Sequence, residues 1–269
     1  MADVFDLNGR IALVTGGGGD IGAEISRTLA ASGARVAVAD IDEGAAARAA
    51  ATAANAARGE GTAHAFALDV TDAGSIDRCF TAVTELWGEP DIVVNNAIVA
   101  CPIPPLPHEA PDEIWDQDID VILKGGFRCA RRALPAMMAA GTGVVINILS
   151  VNAHEFYGHP SYSAAKAGMR SFTQSLASVY GPYGVRAVSI SPGTIRTKAW
   201  DQQIEKDAST FERLEAWYPI GRIGRPGDVA SAVAFASSDS ASWITGSDLV
   251  IDGGLMAGNP TMARSVEGS

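Results

Sequence analysis

Two side chains in this sequence have the types and spacing to move a proton between them. Tyr162 and Lys166 stand four residues apart in the stretch Ser161-Tyr162-Ser163-Ala164-Ala165-Lys166-Ala167-Gly168-Met169. The stretch reads as helix, so phenol and ammonium share one face. A fixed positive charge beside a phenol favours the phenolate and lowers its pKa towards the range of a general acid or base. Tyrosine and lysine at this spacing are also common on solvated helix faces, so the pair gains its meaning from the segments around it.

The first such segment is N-terminal. Ile11-Ala12-Leu13-Val14 is a short apolar run that ends in Thr15-Gly16-Gly17-Gly18-Gly19-Asp20-Ile21-Gly22. This predicts strand, glycine turn, helix. Gly17, Gly19 and Gly22 satisfy G-x-G-x-x-G, in which absent side chains permit a tight turn and let a pyrophosphate reach the N–H groups of a helix N-terminus. A glycine cluster alone describes a flexible loop equally well, but here an amphipathic helix from about Asp20 to Ser32 follows, and then the strand Arg35-Val36-Ala37-Val38-Ala39, which stops at Asp40. An acidic residue at that strand end accepts hydrogen bonds from adenosine ribose hydroxyls and repels a 2'-phosphate, which favours NAD over NADP.

The elements that must position these groups alternate. A helix near Glu43 to Ala57 leads to a third strand, His64 to Asp69. A helix near Ala73 to Trp87 leads to a fourth, Asp91 to Val94. After a proline-rich loop (Cys101 to Pro111), a long helix begins around Asp112. Val144 to Ile148 is a fifth strand, and Val185 to Ile190 a sixth. A helical lobe to about Ser237 and the strand Asp248 to Asp252 complete the chain. This pattern predicts an α/β fold: a doubly wound, Rossmann-type, seven-stranded parallel sheet with helices on both faces, in a single domain over 1–269. Ligands in such sheets sit at the carboxyl ends of the strands. Asp40, Asp69, Asn95, Ser150 and Pro192 follow strands directly and converge there.

Composition narrows the function classes. The chain has 269 residues, is 47% hydrophobic and carries a net charge of −11, enough for one large covered core. The acidic balance, without a basic patch, argues against nucleic acid. No apolar stretch is long enough to span a membrane, and Met1 to Asp6 lacks a signal-peptide pattern, so a cytoplasmic protein is expected. Cys79, Cys101 and Cys129 have no C-x-x-C spacing and read as small core or surface residues, without a disulfide framework or zinc site. His64, His108, His154 and His159 offer no metal-ligand spacing. His154 and His159 lie between Ser150 and Tyr162 and read as packing or surface residues, with a position near a substrate as the alternative.

Taken together, the glycine turn at Thr15 to Gly22, Asp69-Val70, Asn95-Asn96-Ala97, Ser150, Tyr162-x-x-x-Lys166, Ser191-Pro192-Gly193-Thr194-Ile195-Arg196-Thr197 and Asp252-Gly253-Gly254 resemble the short-chain dehydrogenase/reductase family in its single-domain form, over nearly the whole chain. The resemblance implies that Tyr162 exchanges a proton with a substrate oxygen, that Ser150 orients this oxygen, and that Lys166 holds the nicotinamide ribose. It also implies that Asp69 and Val70 border the adenine, that Asn96 approaches the cofactor backbone, and that Ile195 and Thr197 touch the carboxamide. The residues expected along the dinucleotide are thus Gly16, Gly19, Asp20, Ile21, Gly22, Asp40, Ile41, Asp69, Val70, Asn96, Ala97, Tyr162, Lys166, Pro192, Gly193, Ile195 and Thr197.

Three positions depart from the family pattern. Asp20 stands where the turn normally has its second glycine, either as a helix cap or as a carboxylate that needs screening. Ile122 replaces an asparagine that supports a water relay to the lysine; in the family the relay water is held largely by that residue's backbone carbonyl, which Ile122 retains, so the resemblance implies activity with slower proton delivery, or else a site that has lost its relay and keeps only binding. Ile98 replaces the glycine after Asn-Asn-Ala. The segment 195–225, with Trp200, Phe211, Trp217 and Tyr218, matches a mobile substrate lid. Its aromatics suit an apolar or ring-bearing small molecule, or else pack the lobe. Cys101, Ile103 and Leu106 are candidates for another wall. The leading expectation is an NAD-dependent dehydrogenase or carbonyl reductase acting on a polyol, cyclic alcohol or hydroxy acid derivative. A 3-oxoacyl thioester reductase and a nucleotide-binding protein with weak or no turnover are the rival readings. The resemblance further implies a homotetramer.

Overall fold

The computed structural model describes residues 5–99 and 106–258. Its strands are β1 (Ile11–Thr15), β2 (Arg35–Asp40), β3 (Thr62–Ala67), β4 (Ile92–Asn95), β5 (Gly143–Ile148), β6 (Val185–Pro192) and β7 (Asp248–Ile251). They form one parallel sheet in the order β3-β2-β1-β4-β5-β6-β7. Every residue of β1, β4 and β5 is buried, as continuous apolar runs require when helices cover both faces. One core layer joins the sheet to α1 (Asp20–Ala31), α2 (Glu43–Ala56) and, later in the chain, Pro226–Ser237; the other joins it to α3 (Ala73–Trp87) and Gly125–Ala140. The alanine-rich stretch is an ordinary helix whose small buried face, Ala46, Ala49, Ala50 and Ala53, lies in the core. Cys79 and Cys129 are buried there too, and burial pushes both thiols up to about 12, so they are inert packing residues.

The strand order reverses between β1 and β4, which opens a crevice at their carboxyl ends. The helix expected from Asp112 is split into α4 (Asp112–Asp118), a π-helical turn (Ile119–Lys124) and α5 (Gly125–Ala140). The glycine pair after the π turn accounts for its position. A Cβ at Gly125 would lie 2.9 Å from Val70 Cγ2, and one at Gly126 2.5 Å from Met169 Cε. The wider turn brings this bare stretch of helix against both neighbours, and such bulges recur at functional sites. The remaining helices are α6 (Pro160–Tyr180), α7 (Asp201–Lys206), α8 (Thr210–Glu215) and α9 (Pro226–Ser237). Of the residues proposed for a second wall, Cys101 and Ile103 lie outside the described residues, and Leu106 is exposed.

Candidate active site

Pro160 occupies the first turn of α6, where its missing N–H costs nothing and its ring sets φ. From there Tyr162 and Lys166 project together towards the end of β5. Lys166 is only 2% exposed, its Nζ donates to Ile148 O at 2.5 Å, and it sits 5.4 Å from the centroid of the Tyr162 ring. The Tyr162 hydroxyl is within hydrogen-bonding reach of Ser150. Ser150 in turn donates to Asn152 Oδ1 at 3.1 Å and accepts from Asn152 N at 3.2 Å. Asn152 Nδ2 donates to Gly158 O at 2.8 Å and Ser163 Oγ at 3.1 Å, lashing the serine loop to α6. Asn152 is a positioning residue that the motifs did not single out; its place two residues after Ser150 is the available signal.

The electrostatics correct one expectation. Lys166 does not pull the Tyr162 hydroxyl down. Burial pushes it up to about 12, the bond with Ser150 opposes this, and the Asp118 carboxylate adds to it. Burial also pushes the Lys166 ammonium down to about 7, against the pull of Asp118. The cause is desolvation of both groups, together with a lysine that donates to a backbone carbonyl. Asp118, also unforeseen, is 4% exposed at the end of α4 and accepts from Ser161 Oγ at 2.5 Å.

The glycine turn lies across the crevice. Gly16 has φ +61, and a Cβ at Gly22 would fall 2.2 Å from Gly16 O, so the turn closes only without side chains. Asn96 Nδ2 braces it from behind, donating to Thr15 O and Gly16 O, each at 3.0 Å, while Ala97 N donates to Thr15 Oγ1. Gly19 faces open space apart from Gly16 O at 3.5 Å, and as N-cap of α1 it makes no side-chain cap. The first-turn N–H groups, continued by the half-buried Ile21, therefore suit a pyrophosphate. Asp20 does not cap the helix. Its Oδ2 accepts from Lys198 N at 2.6 Å and its Oδ1 lies 3.9 Å from Lys198 Nζ, which supplies the screening that a carboxylate at this place needs. Asp20→Gly is expected to speed amide exchange at Lys198 about tenfold, through loss of a charge-assisted bond; unchanged exchange would mean that this link does not hold the segment.

At the end of β2, Asp40 Oδ2 accepts from Gly18 N at 2.9 Å and Oδ1 from Asp42 N at 3.0 Å, with Ile41 72% exposed beside it. Asp69 Oδ1 accepts from Thr71 N and Oγ1, and the carbonyl of buried Val70 accepts from Arg128. Pro192 ends β6, Gly193 N donates to Ile251 O, and buried Ile195 bridges Gly224. Thr197 precedes the short turn Lys198–Trp200. Beyond it the lobe aromatics mostly pack one another: Phe211, Tyr218 and Ile223 form a small core with Trp200, while Trp217 is exposed. Tyr218 Oη accepts from Thr194 N at 2.8 Å. Ile98, Phe156 and Tyr157 are also exposed. His154 is a structural clasp, with Nε2 2.6 Å from Asp248 Oδ2. His159 stands just before α6 at φ 55, without a side-chain cap, its ring 6.2 Å from that of Tyr162, and burial lowers its pKa.

Residues 18–256 match the family model described as Enoyl-(Acyl carrier protein) reductase. The chain is 38% identical to the cis-4-hydroxycyclohexanecarboxylate dehydrogenase of Sinomonas cyclohexanicum, over 92% of this chain and 97% of that one. It is 37% identical to the D-threitol dehydrogenase of Mycolicibacterium smegmatis, over 93% and 94%. A crystal structure of an oxidoreductase of the short chain dehydrogenase/reductase family from Burkholderia thailandensis superposes with a TM-score of 0.87 at 35% identity, covering 97% of this chain and 98% of that chain. With the parallel sheet, the glycine turn and the Ser150, Tyr162 and Lys166 cluster in one crevice, these similarities identify the chain as a single-domain oxidoreductase of the short-chain dehydrogenase/reductase family.

Proposed function

We propose that this protein is an NAD-dependent dehydrogenase or carbonyl reductase that interconverts a small secondary alcohol and its ketone. The observation that carries the reading is the clustering of Ser150, Tyr162 and Lys166 at the crevice whose other wall is the uncapped start of α1. A bound nicotinamide would supply the hydride acceptor or donor. The chain itself binds, orients and moves protons: Ser150 turns its hydroxyl from Asn152 to the substrate oxygen, and Tyr162 gives or takes the proton at Oη. Lys166 holds the nicotinamide ribose and places positive charge beside the developing phenolate. Gly16, Gly19, Asp20, Ile21 and Gly22 line the pyrophosphate. Ile41, Asp69 and Val70 border the adenosine, while Asn96, Ala97, Pro192, Gly193, Ile195 and Thr197 surround the nicotinamide half. The segment 195–225 acts as the substrate lid.

Asp40 supports NAD. Its carboxylate is fixed by two backbone N–H groups, so it cannot swing away from a 2'-phosphate, and its remaining lone pairs suit ribose hydroxyls. Asp40→Ala is expected to weaken NAD(H) binding about tenfold, the loss of a hydrogen bond to a charged group, and to relax rejection of NADP(H). Titration of both dinucleotides by fluorescence checks this; equal native affinity for the two would defeat the Asp40 argument.

A cyclic alcohol or polyol is the favoured substrate class. Exposed Ile98, Phe156 and Tyr157 supply apolar surface for a ring, and the relatives named for a hydroxycyclohexane carboxylate and for threitol act on such alcohols. The test is absorbance at the NADH band with cyclohexanols, tetritols and 3-oxoacyl thioesters. Turnover confined to the thioesters would replace the reading with that of an acyl reductase, and dinucleotide binding without turnover would reduce it to a binding protein. The protein is proposed to work in the cytoplasm as a homotetramer; among the described residues no helix is long and apolar enough to cross a membrane.

A further inference from the structure

A carboxylate beside the end of β6 gathers three side-chain donors, one of them from the turn that carries Ser150. On one face of β6, Val185 and Ala187 lie in the apolar layer shared with α3 and α5, and Ser189 and Ser191 continue the same row with the two-residue period of a strand. Both serines are buried. Ser189 Oγ donates to Asp248 Oδ1 at 2.7 Å, and Ser191 Oγ to Asp248 Oδ2 at 2.8 Å, joining β6 to its neighbour β7. The third partner is His154, whose Nε2 lies 2.6 Å from Asp248 Oδ2 and 3.3 Å from Ser191 Oγ. The histidine and aspartate side chains are only 14% and 11% exposed, so water does not compete for these bonds.

The bonds decide which ring nitrogen carries a proton. A carboxylate only accepts, and each serine has one hydroxyl proton, already given to Asp248. A lone pair on His154 Nε2 would face a carboxylate oxygen at 2.6 Å. Nε2 is therefore protonated and donates to Asp248 Oδ2, with Ser191 Oγ as a longer second acceptor. Stability alone does not account for such a group. The attraction within a buried charged pair often does no more than offset its desolvation, and apolar side chains of similar volume hold an interior at least as well. What directional bonds add is a single geometry.

Two segments of the crevice meet in that geometry. His154 closes the short turn that Ser150 opens, its N–H donating to Val151 O at 3.0 Å. Ser191 directly precedes Pro192 and Gly193. From this arrangement we propose that His154 is a positioning residue: through its Nε2–H and Asp248 it locks the Ser150 turn to the Pro192-Gly193 segment, and so sets the distance between the substrate oxygen held by Ser150 and the nicotinamide. The effect on turnover rests on the dehydrogenase reading; the lock itself does not. Misplacement by about 1 Å between reacting groups costs up to about 10²-fold in rate, which gives a lock remote from the reacting atoms its leverage.

The test compares two variants of equal reach in the whole protein. His154→Gln puts an amide N–H where the Nε2–H stood, and His154→Met fills the same space without a donor. Asp248 keeps both serine bonds in each, so no buried carboxylate is left unpaired. In the cofactor-free parent, nitrogen-15 NMR of the His154 ring is expected to show a proton on Nε2. Amide exchange at Asn152 and His154 is expected to speed about tenfold in His154→Met, the loss of a hydrogen bond to a charged group, and to stay near the parent's in His154→Gln. With a saturating alcohol, kcat is expected about tenfold lower in the Met variant and within about twofold of the parent in the Gln variant, with NADH affinity unchanged in both. Should His154→Met not fold, His154→Asn, whose amide reaches only the place of Nδ1, takes its part in the comparison. A ring protonated at Nδ1 alone, or a donor-free variant that matches His154→Gln in exchange and kcat, overturns the proposal; a side chain that only packs would treat Met and Gln alike. A parent without turnover on any alcohol defeats the dehydrogenase reading instead, and the NMR and exchange measurements then decide the lock by themselves.

Discussion

Tyr162→Phe is expected to lower kcat by about 10²- to 10⁴-fold, the usual contribution of a positioned acid or base, with dinucleotide affinity retained. The substitution removes one oxygen from a ring packed against the buried cluster of Ile122, Leu149, Ala153, Ala165 and Met169, so the wall of the crevice keeps its shape. What it deletes is the hydroxyl in reach of Ser150 to which the proton transfer with a substrate oxygen is assigned. Steady-state turnover with the best alcohol from the screen, paired with a binding titration of NADH, separates the two effects. Turnover within about threefold of the parent enzyme would place the proton transfer elsewhere and remove the role given to Tyr162. Ser150→Ala is the natural companion, because Ser150 rests on Asn152 and its loss should spare the phenol but leave the substrate oxygen without its orienting donor.

How much of this was readable in the sequence depended on the range of the interaction. The glycine turn was legible because its demands are local: a positive φ at Gly16 and a carbonyl too near for a Cβ at Gly22 are imposed by adjacent residues. The Tyr162 and Lys166 pairing on one face followed from helical spacing, and the sheet followed from alternation. The strand ends shifted by one or two residues, as at Asn95 and Pro192, which belong to their strands. Hidden from the sequence were groups brought together across the fold. Asp118 meets Ser161 from 43 residues away, and His154 meets Asp248 from 94. The sign of the electrostatics was hidden for the same reason: adjacency predicts that a lysine helps a phenol ionise, while desolvation, which depends on every element packed over the pair, opposes it. The π turn before Gly125 reflects tertiary packing that the helical pattern from Asp112 does not contain.

Lys166→Met carries the second large effect, and it reads on stability as well as turnover. The Lys166 ammonium is pushed from its ordinary 10.5 down to about 7 by burial, so between these values the unfolded chain binds a proton that the folded protein does not. Stability of the parent protein therefore rises with pH across that window, and below about 7 the folded state carries the full penalty of a buried charge. Methionine fills similar space without a proton to bind. Its stability should stay flat where the parent's climbs, so the difference between the two should change by up to about 1.4 kcal/mol per pH unit. Loss of the bond to Ile148 O adds a constant cost that does not alter this slope. The comparison belongs below pH 10, because Tyr162, raised to about 12, binds a proton in the folded state that the unfolded chain releases above 10, and stability falls there. Urea unfolding of both proteins at intervals from pH 7 to 9.5 gives the curves. Parallel curves would mean that Lys166 keeps its charge throughout, and the desolvated pair assigned to this crevice would have to be replaced by a solvated one; divergent curves mean that the folded protein gives up the Lys166 proton within this window, and turnover about 10²-fold below the parent's is then the loss of the group that positions the nicotinamide ribose beside Tyr162.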